Sequence, residues 1–206
     1  MAVRLFDEDA IERFRQALAI NPNNAEIYNN LGMALGERDH IEDAVHAFNR
    51  AIEINPKLLP AYINLGGIFL QQGKWDASAE QYRKALEIDP RSAISLSNLG
   101  MINIQMGRLE EGIAQCLEAL EINPEMAEAS VHIGGAYLQM GRLDESIKAF
   151  EAALAINPDF AVAHNNLAVA YYHNGEYEMA IVHCDKAEEL RYPVHPDFAK
   201  ILSAYR

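Results

Sequence analysis

The sequence has little positive charge. Lysine and arginine together number 17 against 30 aspartates and glutamates, which gives a formal net charge of −13 at pH 7. A protein that binds nucleic acid needs a basic surface to neutralise phosphates, and a protein held on an anionic membrane needs one too. The composition therefore argues against both kinds of partner, and the acidic excess is typical of a well-solvated surface.

The sequence also lacks long apolar runs, and its only cysteines are Cys116 and Cys184. No stretch approaches the roughly 18 apolar residues of a membrane-spanning helix. The first residues turn acidic before the apolar core of a signal peptide could form. So few thiols fit a reducing compartment. We therefore expect a cytoplasmic protein with no direct membrane insertion and with two buried, inert thiols.

Motifs for catalysis and metal binding are missing as well. The sequence contains no glycine loop of the phosphate-cradling kind and no H-E-x-x-H pair. His183 and Cys184 are adjacent, but consecutive residues of a helix point apart. His164 falls at a position that favours a packed imidazole. The sequence therefore predicts no enzyme, no catalytic residues, no metal site and no cofactor.

What the sequence does have is a strict repeat. Pro22, Pro56, Pro90, Pro124 and Pro158 each follow the last by 34 residues. A period of this length is typical of one helical hairpin copied and stacked into an array. It defines full repeats at 25–58, 59–92, 93–126, 127–160 and 161–194, with a half-repeat (second helix only) at 1–24 and a capping helix at 195–206.

Each repeat divides into two helical stretches. Gly73, Gly107, Gly141 and Gly175 occupy the joint, where a residue with positive φ can end the first helix, and Asp39 takes this place in the first repeat. Counted from the start of each repeat, positions 8, 20 and 27 hold small residues, while position 24 is mostly large. Because two helices approach closely only where side chains are small, we predict a tightly packed helix pair in every repeat.

This pattern resembles the tetratricopeptide repeat (TPR) family over residues 7 to about 192. The resemblance implies an all-α fold, a right-handed superhelical solenoid of antiparallel helix pairs. It also implies that the first helix of each pair lines a concave groove through positions 2, 5, 6, 9, 12 and 13. Members of the family hold a protein partner there, but the fold itself specifies no particular partner.

One position of the implied groove carries nearly the same residue in every repeat. Position 6 reads Asn30, Asn64, Asn98, His132 and Asn166, a row that we call the asparagine ladder. A carboxamide both donates and accepts, so it can pair with the N–H and the C=O of a bound peptide. At a repeat spacing of about 10 Å, one rung would meet every third residue of an extended peptide. The asparagines could instead hydrogen-bond to neighbouring groups of the fold.

The other predicted groove residues are largely apolar. They are Met33, Ile63, Leu70, Met101, Ile104, Val131, Leu138, Val169 and Tyr172. Gly67 and Gly135 open room at position 9, and the few charges are acidic. Lysine and arginine, which some family members use to hold a C-terminal carboxylate, are missing from positions 2, 5 and 6. The predicted ligand is therefore an extended or amphipathic segment of a partner, bound as by an adaptor or co-chaperone.

The N-terminal half-repeat leaves an alternative function open. Residues 7–20 match a second helix without its first helix, so an apolar face would be uncovered. Met1, Val3, Leu5 and Phe6 could fold back over this face, a second copy of the chain could cover it, or the natural chain could begin further upstream. The alternative is a self-assembling scaffold that forms homo-oligomers through its N-terminal residues.

Overall fold

The structure is a computed structural model that describes residues 6, 7 and 9–206. This described part of the chain contains twelve α-helices and a short 3₁₀ helix at Ser203–Tyr205, and no strand. The α-helices are α1 (Ala10–Ile20), α2 (Ala25–Gly36), α3 (Ile41–Ile54), α4 (Leu59–Gln71), α5 (Trp75–Ile88), α6 (Ala93–Gln105), α7 (Leu109–Ile122), α8 (Ala127–Gln139), α9 (Leu143–Ile156), α10 (Ala161–His173), α11 (Tyr177–Glu189) and α12 (Pro196–Leu202).

Consecutive helices pack against each other in pairs. Within the repeats, α2 packs on α3, α4 on α5, α8 on α9 and α10 on α11. The turns that join them are short, so the two helices of a pair run antiparallel. The all-α fold of repeated helix pairs is therefore confirmed.

The joints inside the pairs have the backbone conformation that the sequence predicts. The four joint glycines have φ between 68° and 81°, and Asp39 has φ 63°. The residue after each joint then closes the end of the first helix. In the second repeat, for example, the Lys74 N–H donates to the Phe69 carbonyl at 2.9 Å. This is the six-to-one hydrogen bond of a Schellman turn, which requires a left-handed residue. Glycine takes that conformation without a steric penalty, which explains its recurrence.

Small residues set the distance between the two helices of a pair, as predicted. A Cβ atom on Gly32 would lie 2.7 Å from the Phe48 ring, which leaves no room for a side chain. In two repeats a buried serine at position 20 crosses to the first helix, and the Ser78 hydroxyl donates to the Gly66 carbonyl at 2.7 Å. These contacts hold each pair at a fixed spacing.

The chain divides into two compact bodies. The N-terminal body comprises the described residues up to Ser95, and the C-terminal body comprises Leu96–Arg206. The core of the N-terminal body is built from α1 to α4 and is centred on Leu31, Leu35, Phe48 and Leu65. The C-terminal body has one apolar cluster around Cys116 and Ile133 and a second around Phe150 and Leu167.

The start of the described chain lies against the first helices. The Phe6 ring meets the Phe14 ring edge-on, with 5.7 Å between centroids. The Phe6 N–H donates to the Glu37 carboxylate at 3.3 Å, and Arg38 donates to the Asp7 carbonyl at 2.8 Å. Phe6 therefore folds back over α1. Met1, Val3 and Leu5 lie outside the described residues.

The C-terminal helix α12 packs against the last helix pair. Leu202 is fully buried in the cluster around Leu167. The Tyr205 ring stacks on the Tyr177 ring at 3.9 Å, and Arg206 forms an ion pair with Asp185. These contacts attach the end of the chain to α10 and α11.

Candidate functional site

The N-terminal body contains a cavity between α2 and α4, the first helices of two successive pairs. Its volume is about 360 Å³. Most of its walls are apolar, and polar side chains stand at its edges. The lining residues are Met33, Gly36, Glu37, Phe48, Ile63, Asn64, Gly67, Ile68, Gln71 and Tyr82. Three of the predicted groove residues, Met33, Ile63 and Asn64, thus share one cavity.

Two aromatic rings from the second helices form the floor of this cavity. Phe48 of α3 is 1% exposed and Tyr82 of α5 is 2% exposed. Each ring reaches under the first helix because position 8 opposite it is a glycine: a Cβ atom on Gly66 would lie 3.0 Å from the Tyr82 ring. The sequence marks both residues as large at position 24, but that pattern indicates packing and does not reveal that the rings border a cavity.

Gly67 keeps the cavity open. The nearest atom to a Cβ placed on Gly67 is the Tyr82 hydroxyl oxygen, at 3.9 Å. A Cβ on Gly135, at the same position two repeats later, would meet no atom within 4 Å. The prediction that these two glycines open room at position 9 is confirmed, and only Gly67 borders the cavity described above.

Tyr82 places a hydrogen-bonding group at the base of the cavity. Burial raises the pKa of its hydroxyl to about 12, so the group stays protonated at neutral pH. Among the residues that the structure describes, none is hydrogen-bonded to this hydroxyl. A buried tyrosine hydroxyl usually has a partner. Its position beside Gly67 makes it available to a bound group.

The ladder amides of the N-terminal body are linked to their neighbours. The Asn64 side chain donates from Nδ2 to Asn29 Oδ1 at 2.9 Å, which ties α4 to α2. Asn29 in turn donates to Asn30 Oδ1 at a long 3.4 Å. These asparagines therefore do hydrogen-bond to neighbouring groups of the fold, and this is part of their role. A carboxamide has two N–H donors and two acceptor lone pairs, so one bond leaves capacity for a ligand.

The ladder of the C-terminal body consists of Asn98, His132 and Asn166. All three are half-buried, and Asn166 accepts from Asn165 Nδ2 at 3.1 Å. The His132 Nδ1 atom is buried and has no partner within the described chain. Burial lowers the pKa of His132 to about 4, although Glu128 opposes this shift. His132 is therefore neutral at neutral pH and differs from the amides in holding an unsatisfied nitrogen.

The other predicted groove residues fall into two groups. Ile104 is 4% exposed and Val131 is 8% exposed, and both belong to the core clusters, so they offer little surface to a ligand. The remaining ones are half-buried, namely Asn30, Leu70, Met101, Leu138, Val169 and Tyr172. Position in the repeat could not separate half-buried from fully buried side chains.

Tyr172 is occupied by the end of the chain. Its ring contacts the rings of Tyr177, Phe198 and Tyr205, with centroid distances of 5.7, 5.8 and 6.3 Å. These contacts come from α11, α12 and the terminal 3₁₀ helix. Tyr172 therefore supports the C-terminal packing, and we leave it out of the binding site.

The two cysteines are buried and free, as predicted. Burial raises the pKa of the Cys116 thiol to about 12 and also raises that of Cys184. Neither thiol ionises at neutral pH, and both are unreactive because the thiolate is the nucleophile.

Two other features are missing from the described residues. No three His, Cys, Asp or Glu side chains come together there in an arrangement that could hold a metal ion. None of the helices in this part of the chain combines the length and the apolar character needed to cross a bilayer.

Family profiles match most of the chain. A profile described as TPR repeat matches residues 7–39, 66–107 and 134–175. Two profiles described as tetratricopeptide repeat match residues 25–58 and 161–191, and residues 93–126. The comparison with curated proteins finds no match.

Solved structures with the same architecture are numerous. The chain is similar to pilF of Pseudomonas aeruginosa, with 27% identity, TM-score 0.72 and coverage of 87% of this chain and 77% of that one. It is similar to the MamA protein, with 25% identity, TM-score 0.68 and coverage of 81% and 91%. It also has the fold of YrrB, a TPR protein with an unusual peptide-binding site, at 24% identity, TM-score 0.69 and coverage of 95% and 97%.

Proposed function

Because the chain belongs to the tetratricopeptide repeat family, whose fold generally mediates protein–protein interaction, we propose that it is an interaction module. It binds an extended or amphipathic segment of a partner protein on the face formed by the first helices. The cavity between α2 and α4 anchors one part of that segment, as in an adaptor or a co-chaperone.

The observation that carries this proposal is the mixed lining of the cavity. Met33, Ile63 and Ile68 give apolar walls, while Asn64 and the Tyr82 hydroxyl offer polar atoms to the same space. A volume of about 360 Å³ is near the lower end for ligand pockets and suits one or two side chains of a peptide. An apolar side chain of the peptide can enter between the apolar walls, while the ladder amides hydrogen-bond to the peptide backbone.

The charges around the cavity restrict the ligand further. Glu37 lines the cavity, and among the described lining residues none is a lysine or an arginine. The net charge of −13 favours a segment that is neutral or basic. A C-terminal carboxylate would meet no cation from the described lining residues, so an internal segment of the partner is the proposed ligand.

Peptide selection tests the function without a known partner. Random 12-residue peptides are selected on the full chain, and the Kd of the best binder is measured by fluorescence polarisation. We expect Gly67→Leu to weaken binding at least tenfold, because the leucine side chain fills the cavity. Gly135→Leu makes the same change at the same repeat position and is expected to leave Kd unchanged.

Both glycine variants must keep the far-UV circular dichroism of the wild type. If the selected peptides bind the two variants with the same Kd as the wild type, the cavity is not their site. If they bind Gly135→Leu weakly and Gly67→Leu normally, the site lies in the C-terminal body and the proposal is wrong about its place.

Tyr82→Phe separates binding from packing. Phe48 and Phe150 occupy the same repeat position, so a phenylalanine ring fits there, and the hydroxyl has no hydrogen-bond partner to lose among the described residues. We expect the melting temperature to stay within a degree or two while the selected peptide binds about 5- to 10-fold more weakly, since one hydrogen bond contributes about 1 kcal/mol. An unchanged Kd would show that the ligand makes no bond to this hydroxyl.

The self-assembling alternative receives no comparable support. Phe6 covers Phe14, and among the described residues of α1 the only strongly exposed large apolar side chain is Ile20, at 87%. One isolated side chain does not form an apolar face. We therefore propose a different protein as the partner, and self-assembly through the N-terminal residues stays an alternative prediction.

A further inference from the structure

Two histidines meet inside the last helix pair. His164 of α10 and His183 of α11 lie with their Nδ1 atoms 2.9 Å apart. Their rings are stacked, with 5.1 Å between centroids. His164 is buried, and His183 is half-buried. The sequence places both residues but not their contact, because they are 19 positions apart and belong to different helices.

The hydrogen bonds fix which nitrogen of each ring carries a proton. His164 Nε2 lies 2.9 Å from the Pro158 carbonyl oxygen, which can only accept, so Nε2 must be the N–H of this ring. His164 Nδ1 is then a lone pair. The proton between the two rings therefore belongs to His183 Nδ1, and one proton holds two nitrogens together.

The fold does not need two imidazoles at this place. The corresponding pairs in the other repeats, at positions 4 and 23, are Tyr28 with Ala47, Tyr62 with Gln81, Leu96 with Gln115 and Ser130 with Ala149. Tyr62 makes the same backbone contact as His164, since its hydroxyl donates to the Pro56 carbonyl at 3.2 Å. A tyrosine thus satisfies the packing, and the histidine pair is a special feature of the last repeat.

A cavity of about 460 Å³ opens beside the pair. Its lining residues are Pro158, His164, Val182, His183, Asp185, Lys186 and Glu189. Lys186 pairs with Asp159 and Glu189, and Arg206 pairs with Asp185. The Tyr171 hydroxyl donates to Glu151. Four carboxylates and two cationic side chains thus take part in these contacts. The excess of negative charge favours a cation in this cavity.

We propose that His164 and His183 form a two-ligand site for a divalent transition-metal ion of the Ni²⁺ and Cu²⁺ class. The ion takes the place of the shared proton, which moves through solvent from Nδ1 to Nε2 of His183, so that the ring stays neutral. Each Nδ1 atom then carries a lone pair that it can donate to the ion. Water completes the coordination, because no third ligand comes together with the pair in the described chain.

The spacing of the two nitrogens fits one class of metal better than another. With metal–nitrogen bonds of about 2.0–2.1 Å, nitrogens 2.9 Å apart subtend an angle of about 90° at the ion. Square-planar and octahedral ions such as Cu²⁺ and Ni²⁺ accept this angle. A tetrahedral zinc site would need the nitrogens about 3.4 Å apart.

The residues around the pair make the kind of contacts that hold metal-binding histidines in place. Metal-binding histidines usually donate the other ring N–H to a carbonyl or carboxylate, as His164 does to Pro158. The Tyr171 ring stacks on His183 at 5.6 Å, and its hydroxyl donates to Glu151 at 2.9 Å.

Calorimetric titration of the full chain with Ni²⁺ at pH 7.5 tests the proposal. We expect one site per chain with a micromolar Kd. His183→Gln and His164→Tyr use the residues that occupy these positions in the second repeat, and each is expected to bind Ni²⁺ at least tenfold more weakly. His173→Gln, which removes an exposed histidine, should leave the Kd unchanged. Equal affinity in the wild type and both pair variants would overturn the proposal.

A second measurement needs no variant. Paramagnetic Ni²⁺ added to the wild-type protein should broaden the imidazole resonances of His164 and His183 at lower metal concentration than those of His40, His46, His173 and His195. If the exposed histidines broaden first, the pair is a hydrogen-bonded packing contact and not a metal site.

Discussion

Gly112→Ala is expected to lower the free energy of unfolding by about 2–3 kcal/mol. Gly112 lies at the closest approach of α6 and α7, within the C-terminal body. A Cβ atom there would lie 2.5 Å from the Gly100 carbonyl oxygen and 2.6 Å from Ile104 Cγ1. The carbonyl belongs to a helix backbone and cannot rotate away, so the helices must separate. This cost exceeds the gain of up to about 1 kcal/mol in helix propensity.

Gly135→Ala is the matched control for this change. Gly135 also lies inside a helix of the same body, but a Cβ there would meet no atom within 4 Å. We expect alanine at this position to stabilise the protein by about 0.5–1 kcal/mol, because the unfolded chain loses freedom. Urea denaturation of both variants measures the difference. Effects of the same sign would contradict the close approach of α6 and α7.

The second large effect is a dependence of stability on pH that originates at His132. Its pKa is about 4 in the folded protein and 6.5 ordinarily. Between these two values the unfolded chain binds a proton that the folded protein does not, so the free energy of unfolding falls as the pH falls from about 6.5 to 4. The full loss from this residue is about 3 kcal/mol.

His132→Asn isolates this contribution, since asparagine occupies the same position in the other four repeats. Carboxylates titrate in both proteins, so the difference between variant and wild type reports His132 alone. We expect the variant to lose about 3 kcal/mol less than the wild type between pH 7 and pH 4, measured by urea denaturation. Parallel stability curves would mean that His132 is exposed and titrates normally.

The repeat made most of the fold predictable. A period of 34 residues puts each residue in register with its counterparts, and from the register follow the joints at Gly73 and Gly141 and the close contact at Gly32. These features depend on local backbone geometry and on contacts within one helix pair, which recur in every copy. The face of each first helix that would bind a partner stays a prediction, since it depends on a ligand.

Features that differ between copies were not predictable in the same way. Ile104 and Val131 share groove positions with half-buried residues, but their own neighbours cover them. Tyr172 is covered by the non-repeating C-terminal residues. The contact of His164 with His183 depends on two departures from the pattern that coincide in one repeat. Each of these features depends on which neighbouring residue a side chain contacts. The 34-residue period of the sequence does not contain that information.

Chemical protection of the cavity tests the proposed function most directly. In a Gly67→Cys variant the new thiol lines the cavity, while Cys116 and Cys184 stay slow to react because they are buried with raised pKa values. The rate of iodoacetamide alkylation is measured with and without a saturating selected peptide, and Gly135→Cys serves as the control. We predict that the peptide slows alkylation of Gly67→Cys at least tenfold and leaves Gly135→Cys unaffected. Alkylation of Gly67→Cys at the same rate with and without the peptide would contradict a binding site between α2 and α4.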